Sequence, residues 1–389
     1  MYIHRAIEAF LAKALKQFPA CLITGPRQAG KSTLLRKFLK SHRYVSLDDP
    51  FIANLAKKDP KLFLSSYPAP VIIDEIQYAP ELLRYIKILI DEDRQNYGQF
   101  VLTGSQVFSL MKGVSESLAG RIAIFHLYPL SWQELQPAIS DSQYNARFLP
   151  KQIIQGFYPE FITNPEMDKR LWFSSYISTY VERDIRNIKS ITDIGRFQTF
   201  IGLLATRAGQ LLNMSEIAKE CGISQPTAKD WVFILESTYL IYLLKPFYNN
   251  LSKRLVKSPK LYFVDTGILC YLMGISNEDQ FMRSPQAGSI FENMVIMEMR
   301  KRYALEKQHA QFFFYRTGSG IEVDLIIQEG ARLNAFEIKF AQTLSKDMTK
   351  ALSLFQEEHP CKSAQVLSLQ KEKTPLKPGI SSIHWSDVD

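Results

Sequence analysis

Paired cysteines, long apolar runs and repeats are all missing from this 389-residue chain, and each absence excludes something. The 4 cysteines, Cys21, Cys221, Cys270 and Cys361, are scattered, and none stands in a CxxC pair. That argues against a zinc site or a disulfide framework and fits a reducing cytosol. No run reaches the roughly 18 apolar residues needed to span a bilayer. The opening "MYIHRAIEAFLAKALKQF" reads as an amphipathic helix interrupted by charges, without the apolar block of a signal peptide. A cytoplasmic protein with no membrane partner is therefore expected.

What is present is a globular composition. At 46% hydrophobic and 22% charged, the chain has the material for packed cores. Its length exceeds one typical core, so two or three domains are expected. Lys and Arg number 47 against 39 Asp and Glu, a net charge of +8. The resulting pI near 9.1 leaves a polyanionic partner such as DNA open.

The strongest signal is "CLITGPRQAGKSTLLRKFL". A short apolar strand, Ala20 to Thr24, runs into G-x-x-x-x-G-K-[ST], and a helix with Leu34, Leu35 and Phe38 on its inner face follows. This is a phosphate loop in the strand–loop–helix context it requires. The nucleotide-binding set is then Gly25, Pro26, Arg27, Gln28, Ala29, Gly30, Lys31, Ser32 and Thr33. The two glycines let backbone wrap closely around phosphates, and the loop amides and helix N-terminus face the anion. Lys31 is expected to reach the β- and γ-phosphates of ATP, and Ser32 to ligate Mg²⁺.

A second apolar run, "PVIIDEIQ", ends in Asp74-Glu75 and reads as a central parallel strand buried on both faces. Asp74 would hold the Mg²⁺ shell, and Glu75 would polarise the attacking water. A third strand, "GQFVLTGSQ", ends in Thr103 and Ser105. A hydroxyl there is either a sensor of the γ-phosphate, with Ser105 in the nucleotide site, or a helix cap.

This set resembles the AAA-type P-loop ATPases, in which the catalytic glutamate directly follows the Mg²⁺ aspartate. "SLDDP" (46–50), "SLAGRI" (117–122), "LYPLSWQEL" (127–135), "YVERDI" (180–185) and "FVDTGI" (263–268) narrow the match. They resemble a widespread prokaryotic family that joins an AAA ATPase domain to a C-terminal domain catalogued as of unknown function. The resemblance runs almost end to end and implies ATP binding and the domain order. One departure is the sensor position, where many AAA proteins have asparagine and this chain has Thr-Gly-Ser. Arg121, Arg183 and Arg186 are candidates for an arginine finger, with structural ion pairing as the other reading. AAA relatives are often rings, so a homo-oligomer is among the expectations, although no residue dictates one.

Residues 131–205 read as a helical extension of the ATPase core at 1–130. At 206–250, "NMSEIAKECGISQPTAKDWVFILESTYLIYLLKPF" follows. Asn213 and Glu216 suit a capping box, Gly222 a turn, and Ser224 the cap of a second helix with Pro226 in its first turn. With the strand "YLIYLLKPF" this describes a winged helix-turn-helix. In a DNA-reading version Gln225, Thr227 and Lys229 would face the major groove. A plain packing module is the alternative.

The last part, 251–389, reads as α-β-β-β-α-β: the helix "GSIFENMVIMEMRKRY", three strands, a helix through 346–357, and the strand "SAQVLSL". "GSGIEVDLIIQEGARLNAFEIKF" carries Asp324 inside one apolar run and Glu337 and Lys339, on one strand face, inside the next. Glu292 stands on the preceding helix among Phe291, Met294 and Val295. Buried charges of this kind must be paired or metal-bound. Converging carboxylates and a lysine suit Mg²⁺ and a phosphodiester. Element order and residues resemble the PD-(D/E)xK nucleases, including Holliday-junction-resolvase-like ones. That resemblance implies Glu292, Asp324 and Glu337 as metal ligands and Glu337 and Lys339 as catalytic residues. The competing reading is an exposed strand face with Asp324 in a simple ion pair. The expectation is thus an α/β chain with an AAA-type ATPase core, a helical extension, a winged helix and a nuclease-like α/β domain. It would act on nucleic acid with ATP and Mg²⁺, as an ATPase with a metal-dependent nuclease site or as an ATP-switched DNA-binding adaptor.

Overall fold

The computed structural model describes residues 2–105, 114, 117–138, 148–180, 193–247, 258–307 and 309–388. The chain forms two compact units. The first comprises Met1–Ala138, Tyr158–Glu166 and Ser237–Tyr239; the second comprises Ile139–Phe157, Met167–Glu236 and Leu240–Asp389.

The first unit is built on a five-stranded parallel sheet. Its strands are β1 (Ala20–Thr24), β2 (Arg43–Ser46), β3 (Val71–Asp74), β4 (Phe100–Gly104) and β5 (Ile122–His126), in the order β2-β3-β4-β1-β5. Every residue of β1, β3 and β4 is buried, as unbroken apolar runs covered on both faces require. Ala20, Leu22, Ile73 and Leu102 join Phe63, Leu83 and Ile86 in its core. The "SLDDP" stretch is a helix start. The Asp49 carboxylate accepts from the amides of Phe51 and Ile52, and Pro50 occupies the first turn of helix Pro50–Lys58. Because all five strands are parallel, the carboxyl ends of β1, β3 and β4 lie along one edge. That edge is where an open α/β sheet presents its site.

The second unit has an eight-stranded mixed sheet, β12-β13-β11-β10-β9-β8-β6-β7. Its strands are β6 (Ile241–Pro246), β7 (Lys260–Phe263), β8 (Gln311–Arg316), β9 (Glu322–Glu329), β10 (Arg332–Ile338), β11 (Ser363–Ser368), β12 (Thr374–Lys377) and β13 (Ile380–His384). The helix, three strands, helix and strand read from the sequence are all present, with Ala287–Glu306 as the long helix. Two further strands, β12 and β13, extend the sheet beyond β11. Helices Ile194–Thr206, Met214–Glu220 and Gln225–Ser237 precede β6. β6 pairs antiparallel with β7 and also parallel with β8, through Lys245 and Pro246. The strand read with the helix-turn-helix is therefore continuous with the C-terminal sheet. Asp265 of "FVDTGI" is a buried helix cap, accepting from the amides of Phe157, Gly267 and Ile268.

One buried charge organises the start of the first unit. Arg5 donates to the carbonyls of Ala29, in the phosphate loop, and Tyr128, at 2.8 and 2.7 Å. Its Nε lies 3.1 Å from Glu134, and both side chains are almost wholly buried. Glu134 completes a capping box with Ser131. Replacing Arg5 with methionine would leave a buried carboxylate without its cation and free the Ala29 carbonyl. Arg5→Met is expected to destabilise the chain by roughly 3 kcal/mol, read by thermal unfolding, and to slow ATP turnover.

Candidate nucleotide site and C-terminal charge cluster

The phosphate loop takes its shape from its glycines. Gly25 has φ +153°, and a Cβ there would lie 2.0 Å from the carbonyl oxygen of Leu127, so only glycine fits. Gly30, at φ +90°, starts the helix Lys31–Phe38 from a left-handed conformation. Pro26 and Ala29 are buried, Arg27 is half-buried, and Gln28 is exposed with φ +61°. Lys31 is only 6% exposed, and its ammonium donates to the carbonyls of Gly25 and Pro26, each at 2.9 Å. A cation is thus held in the middle of the loop. Ser32 is half-buried and Thr33 exposed in the first helical turn.

Asp74, at the end of β3, is a shared acceptor. Its Oδ2 accepts from the hydroxyl of Ser32 at 2.7 Å and from the phenol of Tyr44 on β2, and its Oδ1 accepts from Thr103 at the end of β4. Burial, and then the bond to Asp74, push the Tyr44 phenol up to about 12, so it remains a donor at neutral pH. Thr103 also accepts the Glu75 amide at 3.1 Å. Glu75 itself has φ +57°, a left-handed conformation that a side chain other than glycine seldom adopts. Its carboxylate accepts from the amide of Gln77, and Gln77 also reaches Ser105 at 3.5 Å. Both hydroxyls left open by the sequence are thereby placed. Thr103 ties Asp74 to Glu75, and Ser105 sits behind Gln77.

Arg121 is elsewhere. It precedes β5, whose register sets Ile122 against Ala20 and His126 against Thr24. In a parallel pair that puts Arg121 at the opposite edge of the sheet from the loop after Thr24. There it makes a bidentate ion pair with Asp91, at 2.6 and 3.0 Å. Within its own chain it lies at the edge away from the phosphate loop. The other two candidates, Arg183 and Arg186, lie outside the described residues.

The C-terminal residues do meet. Leu325 pairs with Phe336, so Asp324 and Glu337 follow on adjacent strands. Lys339 lies 2.6 Å from Glu337 and 3.4 Å from Asp324, and Asp324 also accepts the Ile338 amide at 2.8 Å. Glu292 does not join them through a shared metal position. It accepts from Tyr262 at 2.6 Å and from Lys260 at 3.1 Å. Lys260, on β7, also lies 2.5 Å from Glu322 and 4.0 Å from Asp324. Among the described residues, no group of three or more His, Cys, Asp or Glu side chains could hold a metal ion. Glu292, Asp324 and Glu337, expected as such a group, are instead interleaved with two lysines. Burial, and then repulsion by Asp324, push the Glu337 carboxyl well above its ordinary range. Burial also raises Glu292, which Lys260 offsets only in part. For Asp324 burial pulls upward, but Lys339 and Lys260 together hold it below the usual carboxylate value.

Arg5, Tyr44 and Lys260 are members that the sequence reading missed. None lies in a motif, and the one available signal was a charged or phenolic residue at the border of an apolar run.

Three family matches tile the chain. Residues 17–136 match an AAA domain, 147–279 a Domain of unknown function (DUF8612) and 287–387 a Domain of unknown function (DUF4143). Uncharacterized proteins of Mycobacterium tuberculosis and Mycobacterium bovis are each 31% identical over 351 residues, covering 90% of this chain and 77% of theirs. Among solved structures, the Walker-type ATPase PABY2304 of Pyrococcus abyssi is similar at 15% identity and a TM-score of 0.47, covering 70% of this chain and 96% of that one. A Signal Transduction ATPase with Numerous Domains from Pyrococcus horikoshii has 11% identity and a TM-score of 0.28, covering 77% and 48%. With its phosphate loop and Asp74-Glu75 pair at the head of a five-stranded parallel sheet, the chain carries an AAA-type P-loop ATPase domain and belongs to one family with the two mycobacterial proteins.

Proposed function

We propose that this protein hydrolyses ATP with Mg²⁺ and uses the cycle to act on nucleic acid. The observation that carries the first half is the Lys31–Ser32–Asp74–Glu75 constellation. The loop and its donors fit a nucleotide. Gly25 to Thr33 would wrap the phosphates, with Lys31 leaving its own carbonyls to meet the β- and γ-oxygens. Ser32 and Asp74, already 2.7 Å apart, would share the Mg²⁺. The metal's chemistry is to neutralise charge on the phosphates. Glu75 is the general base for the attacking water. Its left-handed backbone, fastened by Thr103, turns the side chain away from the line of β3.

The second half rests on the helices before β6. An isolated bridge joins Leu211 to Lys260, and β6 and β7 form an antiparallel pair. Helix, short bridge, helix, turn, helix and two strands are the parts of a winged helix-turn-helix. Gln225 and Lys229 are exposed near the start of the third helix, and Thr227 is half-exposed. Gln225 also bonds Ser215 on the helix before it, at 3.1 Å, which sets the angle between the two. This face and the net charge of +8 support DNA as the partner. The C-terminal sheet with its long helix is nuclease-like in element order.

Three substitutions test this reading. Lys31→Ala should abolish ATP turnover and weaken nucleotide binding, since the charge meeting the phosphates is lost; undiminished affinity and rate would sink the loop assignment. Glu75→Gln should still bind ATP while hydrolysing it roughly 100-fold or more slowly, measured by single-turnover kinetics. Lys229→Ala should weaken duplex DNA binding and flatten the plot of log affinity against log salt by about 0.9, one phosphate contact. An unchanged slope would mark the helices as a packing module.

A further inference from the structure

The C-terminal cluster contains four carboxylates, Glu292, Glu322, Asp324 and Glu337, on one helix and two strands. Mutual repulsion among buried anions demands a counter-charge. In a metal-dependent phosphodiesterase that charge is a divalent ion, and the sequence leads one to expect it here. The structure offers something else in its place. Lys260 is 2% exposed, and its ammonium lies within 4.0 Å of three separate carboxylates: Glu322 at 2.5 Å, Glu292 at 3.1 Å and Asp324 at 4.0 Å. An ammonium has three N–H donors, and here they face three acids, Glu292 on the long helix and Glu322 and Asp324 on β9.

The geometry opposes joint occupancy. A divalent ion bridging Glu292 and Asp324 needs oxygens from both within about 2.0–2.6 Å. The Lys260 nitrogen already lies 3.1 Å from one oxygen of Glu292 and 4.0 Å from one oxygen of Asp324. Several contacts hold it there. Tyr262, two residues on in β7, donates to Glu292 at 2.6 Å, and Arg316 pairs with the other oxygen of Glu322 at 2.8 Å. The ammonium also lies over the ring of Phe314, 5.9 Å from its centre. Lys339 completes the neutralisation from the opposite side, bridging Asp324 and Glu337.

We propose that Lys260 is a built-in counter-cation that takes the metal position of a nuclease-like fold, so that this cluster binds no Mg²⁺ or Mn²⁺ and cleaves no phosphodiester. The C-terminal domain then contributes a surface and a fixed charge array to the ATPase, not a second reaction. This goes beyond the ATP and DNA assignments and does not depend on either.

Mn²⁺ is the probe. Nucleotide-free full-length protein is titrated with Mn²⁺, and free ion is followed by electron paramagnetic resonance, for the wild type, Glu337→Gln and Lys260→Met. The wild type and Glu337→Gln should give the same isotherm, because any ion held by Ser32 and Asp74 is common to both. Lys260→Met, which keeps the stem and removes the charge, should gain about one Mn²⁺ per chain and a Mn²⁺-dependent rise in Tm that the wild type lacks. Wild-type Mn²⁺ binding that Glu337→Gln abolishes would overturn the assignment, as would a folded Lys260→Met protein with no added site. If Lys260→Met does not fold, the comparison of wild type with Glu337→Gln decides by itself. ATP turnover in the same samples reports separately on the phosphate loop.

Discussion

The Asp74 carboxylate is the constraint on which the nucleotide site depends. It accepts from Ser32 on the helix after β1, Tyr44 on β2 and Thr103 at the end of β4, and so ties β3 to its two neighbouring strands and to the phosphate-loop helix. Polar atoms taken out of water need hydrogen-bond partners, and both Asp74 oxygens have them. The same bonds deliver the site. Ser32 is held 2.7 Å from Asp74, and Thr103 passes the restraint on to the backbone of Glu75. The strained φ at Glu75 survives because its surroundings over-determine it.

The second unit solves a like problem differently. Its carboxylates face one another across a helix and two strands, and lysines lie among them. Asp74 is surrounded by neutral hydroxyl donors, those of Ser32, Tyr44 and Thr103. The C-terminal acids are surrounded by ammonium groups, which a metal would have to expel against their own attraction. Two acidic sites that look alike in the sequence thus differ in what they can accept.

The phosphate loop was legible in the sequence because it is local. Its work is done by consecutive backbone amides, and Gly25 and Gly30 mark the two places where that backbone must turn tightly. The strand ahead of Asp74 was legible for the same kind of reason, since an unbroken apolar run suits a strand buried on both faces. β12 and β13 were not. They are short, and β12, at the sheet edge, contains Pro375, which weakens any strand signal.

By itself, then, the sequence determined the loop, the Asp74-Glu75 pair, the long helices and the strands bearing Asp324 and Glu337. Each depends on neighbours a few residues away. Tertiary structure decided the partners. Arg121 faces Asp91 because parallel register carries it to the far edge of the sheet. Arg5 finds Ala29 and Glu134, and Lys260 finds Glu292 and Glu322, across tens of residues. A charge declares in the sequence only that it needs a partner. Which partner it meets is set by strand order and packing, which no local pattern encodes.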